Sequence, residues 1–192
     1  LIALLNADID HTGVVIENRS VPGPTGAPDV PVRIYSPEGL ERAVPGILHI
    51  HGGGFVIGDL DSELGACVAL CRTLGVVVVS VDYRLAPEHP FPAALDDCLT
   101  VYKEILENNS PQDTVIVGDS AGGNLTLTTL IAARDARLPL PAAGVCLSPA
   151  TDLRLHDEVQ WTTVRDELLH PRAIKMFRES YIGHGDPDNP LM

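Results

Sequence analysis

Five residues, Gly118-Asp119-Ser120-Ala121-Gly122, carry the first spacing in this sequence that could do chemistry. The pattern is G-x-S-x-G. Glycines two before and two after a serine let the chain turn sharply from a strand into a helix, and the turn lifts the hydroxyl clear of the backbone. A hydroxyl placed there could attack an acyl carbonyl, provided a base takes its proton. The same residues also suit a plain strand–helix turn whose serine is only an N-cap. Taken alone, they leave both readings open.

A second spacing favours the nucleophile. His51-Gly52-Gly53-Gly54 follows a short apolar run. Attack on an acyl carbonyl puts negative charge on its oxygen, and small residues let backbone N–H groups approach that oxygen closely. A loop of this HGGG kind supplies such donors beside the N–H of the residue after the nucleophile, here Ala121. A phosphate loop is the competing reading of the glycines, but G-x-G-x-x-G and G-K-[ST] are both missing. His51 is not expected to be the base. It precedes the serine, whereas the order behind a nucleophile elbow is serine, acid, histidine. A loop-organising role is expected instead.

Several elements must position these residues. "GVVIENRSVPG" and "VPVRIYSP" alternate apolar and polar residues around a turn at 22–28, which predicts an antiparallel pair. A short strand at 46–50 runs into the HGGG glycines. Residues 63–75 have helical spacing and end at Gly75, a C-cap. The run 76–84 is rich in β-branched residues and reads as a strand buried on both faces. Helix is predicted over 93–109, with Leu95, Leu99, Tyr102, Ile105 and Leu106 as its apolar stripe. Buried strand follows over 114–119, helix over 124–137 and buried strand over 142–149, then two short helices broken at Pro171 within 164–183. Strands alternating with helices predict a mostly parallel sheet flanked by helices, an α/β fold.

A third stretch, "DYRLAPEHPFPAALDD" (82–97), joins "HGGGF" and "GDSAGGNL" in order and spacing. On these motifs the whole chain resembles the hormone-sensitive-lipase-like branch of the α/β-hydrolases, which includes many microbial carboxylesterases. The resemblance implies that Ser120 is the nucleophile and that the N–H groups of Gly53, Gly54 and Ala121 form the oxyanion hole. It makes His51, Gly52, Gly118, Asp119 and Gly122 structural parts of the motifs. Asp82, Arg84 and Glu88 would form a buried polar network behind the site. Residues 1–10 would be the end of an N-terminal cap helix, 11–153 the core with strands one to six, 154–182 an inserted helical cap, and 183–192 the return toward the core. The implied activity is hydrolysis of short- to medium-chain carboxylic esters through an acyl-enzyme, with no cofactor or metal. Gibberellin receptors, which resemble the same family, keep the alternative of a non-catalytic ligand-binding protein open; an inactive fragment is a further one.

In family members the catalytic acid and histidine lie after the seventh and eighth strands, and neither segment is recognisable here. His156, His170 and His184 and Asp152, Asp157, Asp166, Asp186 and Asp188 follow Ser120 but do not follow a late strand, so surface positions are expected for them. The last two strands and the C-terminal helix are expected to be absent. These 192 residues are therefore expected to be part of a longer polypeptide, the remainder being a separate or unseen part, with the sixth strand as an exposed edge.

Bulk properties narrow the partners. The formal net charge of -13 argues against nucleic acid, and no apolar run reaches the length of a membrane span. A small-molecule ester is the expected partner, with homodimerisation of the full-length protein implied by resemblance and a cytoplasmic location expected. Cys67, Cys71, Cys98 and Cys146 read as small buried hydrophobes rather than a disulfide or metal set.

Overall fold

The computed structural model describes residues 9–40, 45–154 and 170–192. Two alternating stretches form β1 (Val14–Val21) and β2 (Val30–Pro37), paired antiparallel from Val14↔Pro37 to Val21↔Val30. The chain continues through β3 (Pro45–Ile50), α1 (Leu64–Leu74), β4 (Val77–Val81), α2 (Ala93–Asn108), β5 (Val115–Asp119), α3 (Ser120–Asp135), β6 (Ala143–Leu147) and α4 (Pro171–Ile182). One six-stranded sheet results, in the order β1-β2-β4-β3-β5-β6. Its β1–β2 and β2–β4 ladders are antiparallel, and those joining β4, β3, β5 and β6 are parallel.

Side-chain alternation sends successive residues to opposite faces. On one face α1 packs Cys67, Val68 and Cys71 onto Tyr35, Ile47 and Val78. On the other, α2 and α3 bring Leu95, Cys98, Val101, Tyr102 and Leu125 against Leu48, Ile50, Val79, Val81 and Ile116. Every residue of β4 is buried, as its β-branched run requires between two covered faces. Gly75 ends α1 at φ 66°, donating its N–H to the Cys71 carbonyl, a left-handed cap that glycine adopts without a Cβ penalty.

Three boundaries differ from expectation, while β6 is the exposed edge expected of the sixth strand rather than the buried strand read from its residues. β4 stops at Val81, because the Asp82 N–H turns to the Pro31 carbonyl and residues 83–84 leave the sheet. Helix α3 starts at Ser120 rather than 124, its first turn holding the glycines that let it approach β3. Strand β6 is exposed over most of its length, since it lies at the sheet edge and α3 covers only one side. Pro171 begins α4 at its first turn, where a missing N–H costs nothing; the expected helix before it, and residues 1–8, lie outside the described residues. The stripe of α2 is also broader than read: Ala94, Cys98 and Val101 are buried, while Leu99 and Leu106 are only partly so. Cys67, Cys71 and Cys98 are buried and free, whereas Cys146 is only partly buried.

Candidate active site

Strand β5, between β3 and β6, delivers Ser120 at the end of the sheet where β3 also ends. Ser120 has φ 50°, a left-handed backbone that a side chain adopts at a cost and that marks a functional turn when surroundings hold it there. The surroundings are visible. A Cβ on Gly118 would meet the Gly122 carbonyl, and one on Gly122 would meet the carbonyl oxygens of Ile50 and His51. Both glycines are therefore required by close backbone approach. The Ser120 carbonyl accepts from the Ala150 N–H at 3.0 Å, and Asn124 Nδ2 donates to the Ala150 carbonyl at 2.7 Å. These bonds tie the elbow to the segment after β6.

The N-cap of α3 is Asp119, so the alternative of Ser120 as the cap does not hold. Asp119 makes no side-chain cap bond. The helix N-terminus thus keeps its partial positive charge and unspent N–H groups directed outward. Ala121 is fully buried.

The HGGG loop lies against this turn. A Cβ on Gly52 would strike the Asp119 carboxylate, which fixes the loop beside the elbow. Gly53 and Gly54 have φ 108° and 62°, and Phe55 continues at 66°. The Gly53 carbonyl accepts from Val56 N at 3.1 Å and Ile57 N at 3.0 Å. His51 is fully buried, its Nδ1 2.7 Å from the Gly52 carbonyl and its Nε2 without a partner. Burial lowers its pKa, so the ring is neutral, and the short contact to a carbonyl assigns the proton to Nδ1. A ring so engaged organises the loop.

Tyr83, from "DYR", supports the loop from below. Its ring stacks on His51 with centroids 4.1 Å apart and 13° between planes, and its hydroxyl donates to the His51 carbonyl at 2.9 Å and lies 3.4 Å from that of Gly52. Sequence reasoning missed this residue; the signal was an aromatic in an otherwise polar stretch.

The polar network expected of Asp82, Arg84 and Glu88 is built differently. Arg84 pairs with Asp97, which is 1% exposed. Its Nε reaches Oδ2 at 2.9 Å, Nη2 reaches Oδ1 at 2.9 Å, and its backbone N–H also donates to Oδ2 at 2.9 Å. Glu88 is exposed and Asp82 half-buried, because the loop carrying them faces outward once β4 has ended. Asp97 could have been found: it shares the i, i+3, i+4, i+7 face of Ala94, Cys98 and Val101, where a carboxylate needs a partner.

Helix α4 closes one side. Tyr181 stacks on Phe55 at 3.7 Å and meets Phe91 edge-on at 6.0 Å, while its carbonyl accepts from Phe91 N at 2.7 Å. Phe177 lies where a Cβ on Gly54 would be. Beneath the loop, a second buried histidine was also missed. His49 has Nε2 3.8 Å from Glu63 Oε2 and a buried Nδ1 without a partner; burial pushes its pKa down to about 4.

Of the expected surface residues, His170, His184, Asp152, Asp186 and Asp188 are exposed; His156, Asp157 and Asp166 lie outside the described residues. The described chain thus assembles a nucleophile elbow, a glycine loop and their supports, and no described histidine or carboxylate hydrogen-bonds the Ser120 hydroxyl. No three described His, Cys, Asp or Glu residues are grouped so as to hold a metal ion, and no described helix is long and apolar enough to cross a membrane.

Comparison with known proteins agrees with this geometry. A family model described as alpha/beta hydrolase fold matches residues 47–192. An acetyl-hydrolase of Streptomyces hygroscopicus is 39% identical over 147 residues, covering 76% of this chain and 49% of its own length. The carboxylic ester hydrolase LipN of Mycobacterium tuberculosis is 37% identical over 185 residues, 91% of this chain and 48% of its own. An esterase from the bacterial hormone-sensitive lipase family superposes with a TM-score of 0.86 at 34% identity, over 99% of this chain and 62% of that structure. The chain spans about half the length of the curated relatives it matches.

Proposed function

This chain belongs to the α/β-hydrolase fold family, in its hormone-sensitive-lipase-like branch, and from that membership we propose that it carries the nucleophile and oxyanion loop of a serine carboxylesterase. The observation that carries the reading is Ser120 at φ 50° on the first residue of α3, with the HGGG loop packed against the same turn.

Ser120 Oγ attacks the carbonyl carbon of an ester, and its proton passes to a histidine base. The carbonyl oxygen becomes an oxyanion facing the N–H groups of Gly53, Gly54 and Ala121, which are favoured by the open N-terminus of α3. Collapse of the intermediate breaks the C–O bond to the alcohol, which leaves with the proton from the base. Water then hydrolyses the acyl-serine by the same steps, releasing the acid and restoring Ser120. The acid and histidine are supplied by sequence outside these 192 residues. Support for this comes from the relatives, of whose length the chain spans about half, and from the exposure of His11, His89, His170 and His184. The relative named acetyl-hydrolase supports a small acyl group, within the short- to medium-chain range. A small-molecule ester as partner, a cytoplasmic location and pairing of the full-length protein belong to the same proposal.

The test is turnover of p-nitrophenyl acetate and butyrate by the intact protein. Hydrolysis that disappears in Ser120→Ala supports the esterase. An intact protein that binds such esters without turnover would overturn it in favour of ligand binding.

A further inference from the structure

A peptide unit between two glycines turns at little cost, since neither neighbour carries a Cβ to restrict it. The Gly52–Gly53 and Gly53–Gly54 units are of this kind, and each ends in an N–H that the proposed chemistry needs aimed at one point. In a planar trans peptide the C=O and N–H point in opposite directions. Holding a carbonyl therefore aims the N–H of the next residue.

The two units are held differently. The Gly53 carbonyl is fixed by backbone, accepting from Val56 N and Ile57 N, which sets the Gly54 N–H. The Gly52 carbonyl accepts no backbone N–H among the described residues; His51 Nδ1 lies 2.7 Å from it and the Tyr83 hydroxyl 3.4 Å. The same hydroxyl grips the preceding carbonyl, of His51, at 2.9 Å. Tyr83 also presses its ring on the His51 imidazole, which keeps Nδ1 on the Gly52 oxygen.

We propose that Tyr83 is a positioning residue of the oxyanion loop: by holding the His51 carbonyl, its hydroxyl fixes the His51–Gly52 peptide from which the Gly52–Gly53 unit turns, and with the stacked His51 ring on the Gly52 carbonyl this sets the direction of the Gly53 N–H. This rests on the esterase reading above. Tyr83 touches neither substrate nor Ser120 and acts only through the loop. It is 1% exposed, and burial raises its pKa well above the usual phenol value, so the donor stays protonated throughout the working range. The "DYR" stretch thereby acts on a loop some thirty residues upstream.

The experiment compares the intact wild-type protein with Tyr83→Phe, which keeps the stacked ring and removes the donor, and with 4-aminophenylalanine at position 83, which returns an N–H donor. With p-nitrophenyl butyrate, Tyr83→Phe should lose about tenfold or more in kcat with KM within about twofold of wild type. Inhibition by a trifluoromethyl ketone, which forms the oxyanion on Ser120, should weaken by the same factor, and inhibition by the product butyrate should not change. The amino variant should recover most of kcat. Unchanged kcat in Tyr83→Phe, parallel changes in kcat, KM and butyrate inhibition, or equal losses in the Phe and amino variants would overturn the assignment. A wild-type protein without esterase turnover would instead sink the reading on which it rests.

Discussion

At the scale of single residues, the site depends on groups that never meet a substrate. Asp97 is buried and gathers the Arg84 guanidinium and backbone N–H onto one carboxylate. Asp97→Ala strands the Arg84 groups and frees the loop that carries Tyr83; it should lose about 3 kcal/mol in urea unfolding. His49 gives the molecule a pH dependence. Its folded pKa is lowered from 6.5 to about 4 by burial, which outweighs the opposite pull of the nearby Asp119 carboxylate. The unfolded chain therefore binds more protons between those values, so stability is present above about pH 6.5 and is lost as pH falls toward 4. The full loss is roughly 3 kcal/mol. Glu63, whose pKa burial raises, works in the opposite sense, and His51 in the same sense. In His49→Gln the stability measured by denaturant at pH 7, 5.5 and 4.5 should fall less steeply with acid than in wild type. An unchanged slope would remove His49 from that account.

At the scale of elements, glycine positions decide whether strand and helix can meet. Gly122 stands where any Cβ would enter the carbonyl oxygens ending β3, whereas a Cβ at Gly75 would meet nothing within 4 Å. The first is a packing restriction and the second a purely conformational one. Gly122→Ala should lower stability by about 3 kcal/mol and remove activity, because α3 can no longer seat Ser120 beside the HGGG loop. Gly75→Ala should cost only about 1 kcal/mol, the left-handed backbone alone, and leave activity intact. Thermal unfolding and ester turnover of the two variants together check this contrast.

At the scale of the whole molecule, β6 is the last strand of the sheet among the described residues, with Val145 41% and Leu147 56% exposed. Such an edge offers unpaired backbone groups beside apolar side chains. The 192 residues expressed alone should self-associate, visible by light scattering, and Val145→Lys with Leu147→Lys should suppress it. Monodispersity of the unmodified chain at tens of micromolar would count against the exposed edge as the cause. The overall charge of -13 opposes association in general, so a rise with added salt is also expected.

Much of this was legible in order along the chain. Alternation announced β1 and β2, β-branched runs announced β4 and β5, and three glycine- or proline-marked motifs located Ser120, the HGGG loop and the "DYR" block, because local backbone demands are written in local residue types. The sequence by itself thus determined the α/β class and the identity of the candidate nucleophile. Tertiary structure decided what those motifs do to one another. Only packing shows that Asp97 rather than Glu88 meets Arg84 and that the Tyr83 hydroxyl reaches back to the HGGG loop. These pairings join residues about thirteen to over thirty apart, and their chemistry depends on burial, which no spacing states: a carboxylate, an imidazole or a phenol becomes specific only when water is removed and one partner remains within reach.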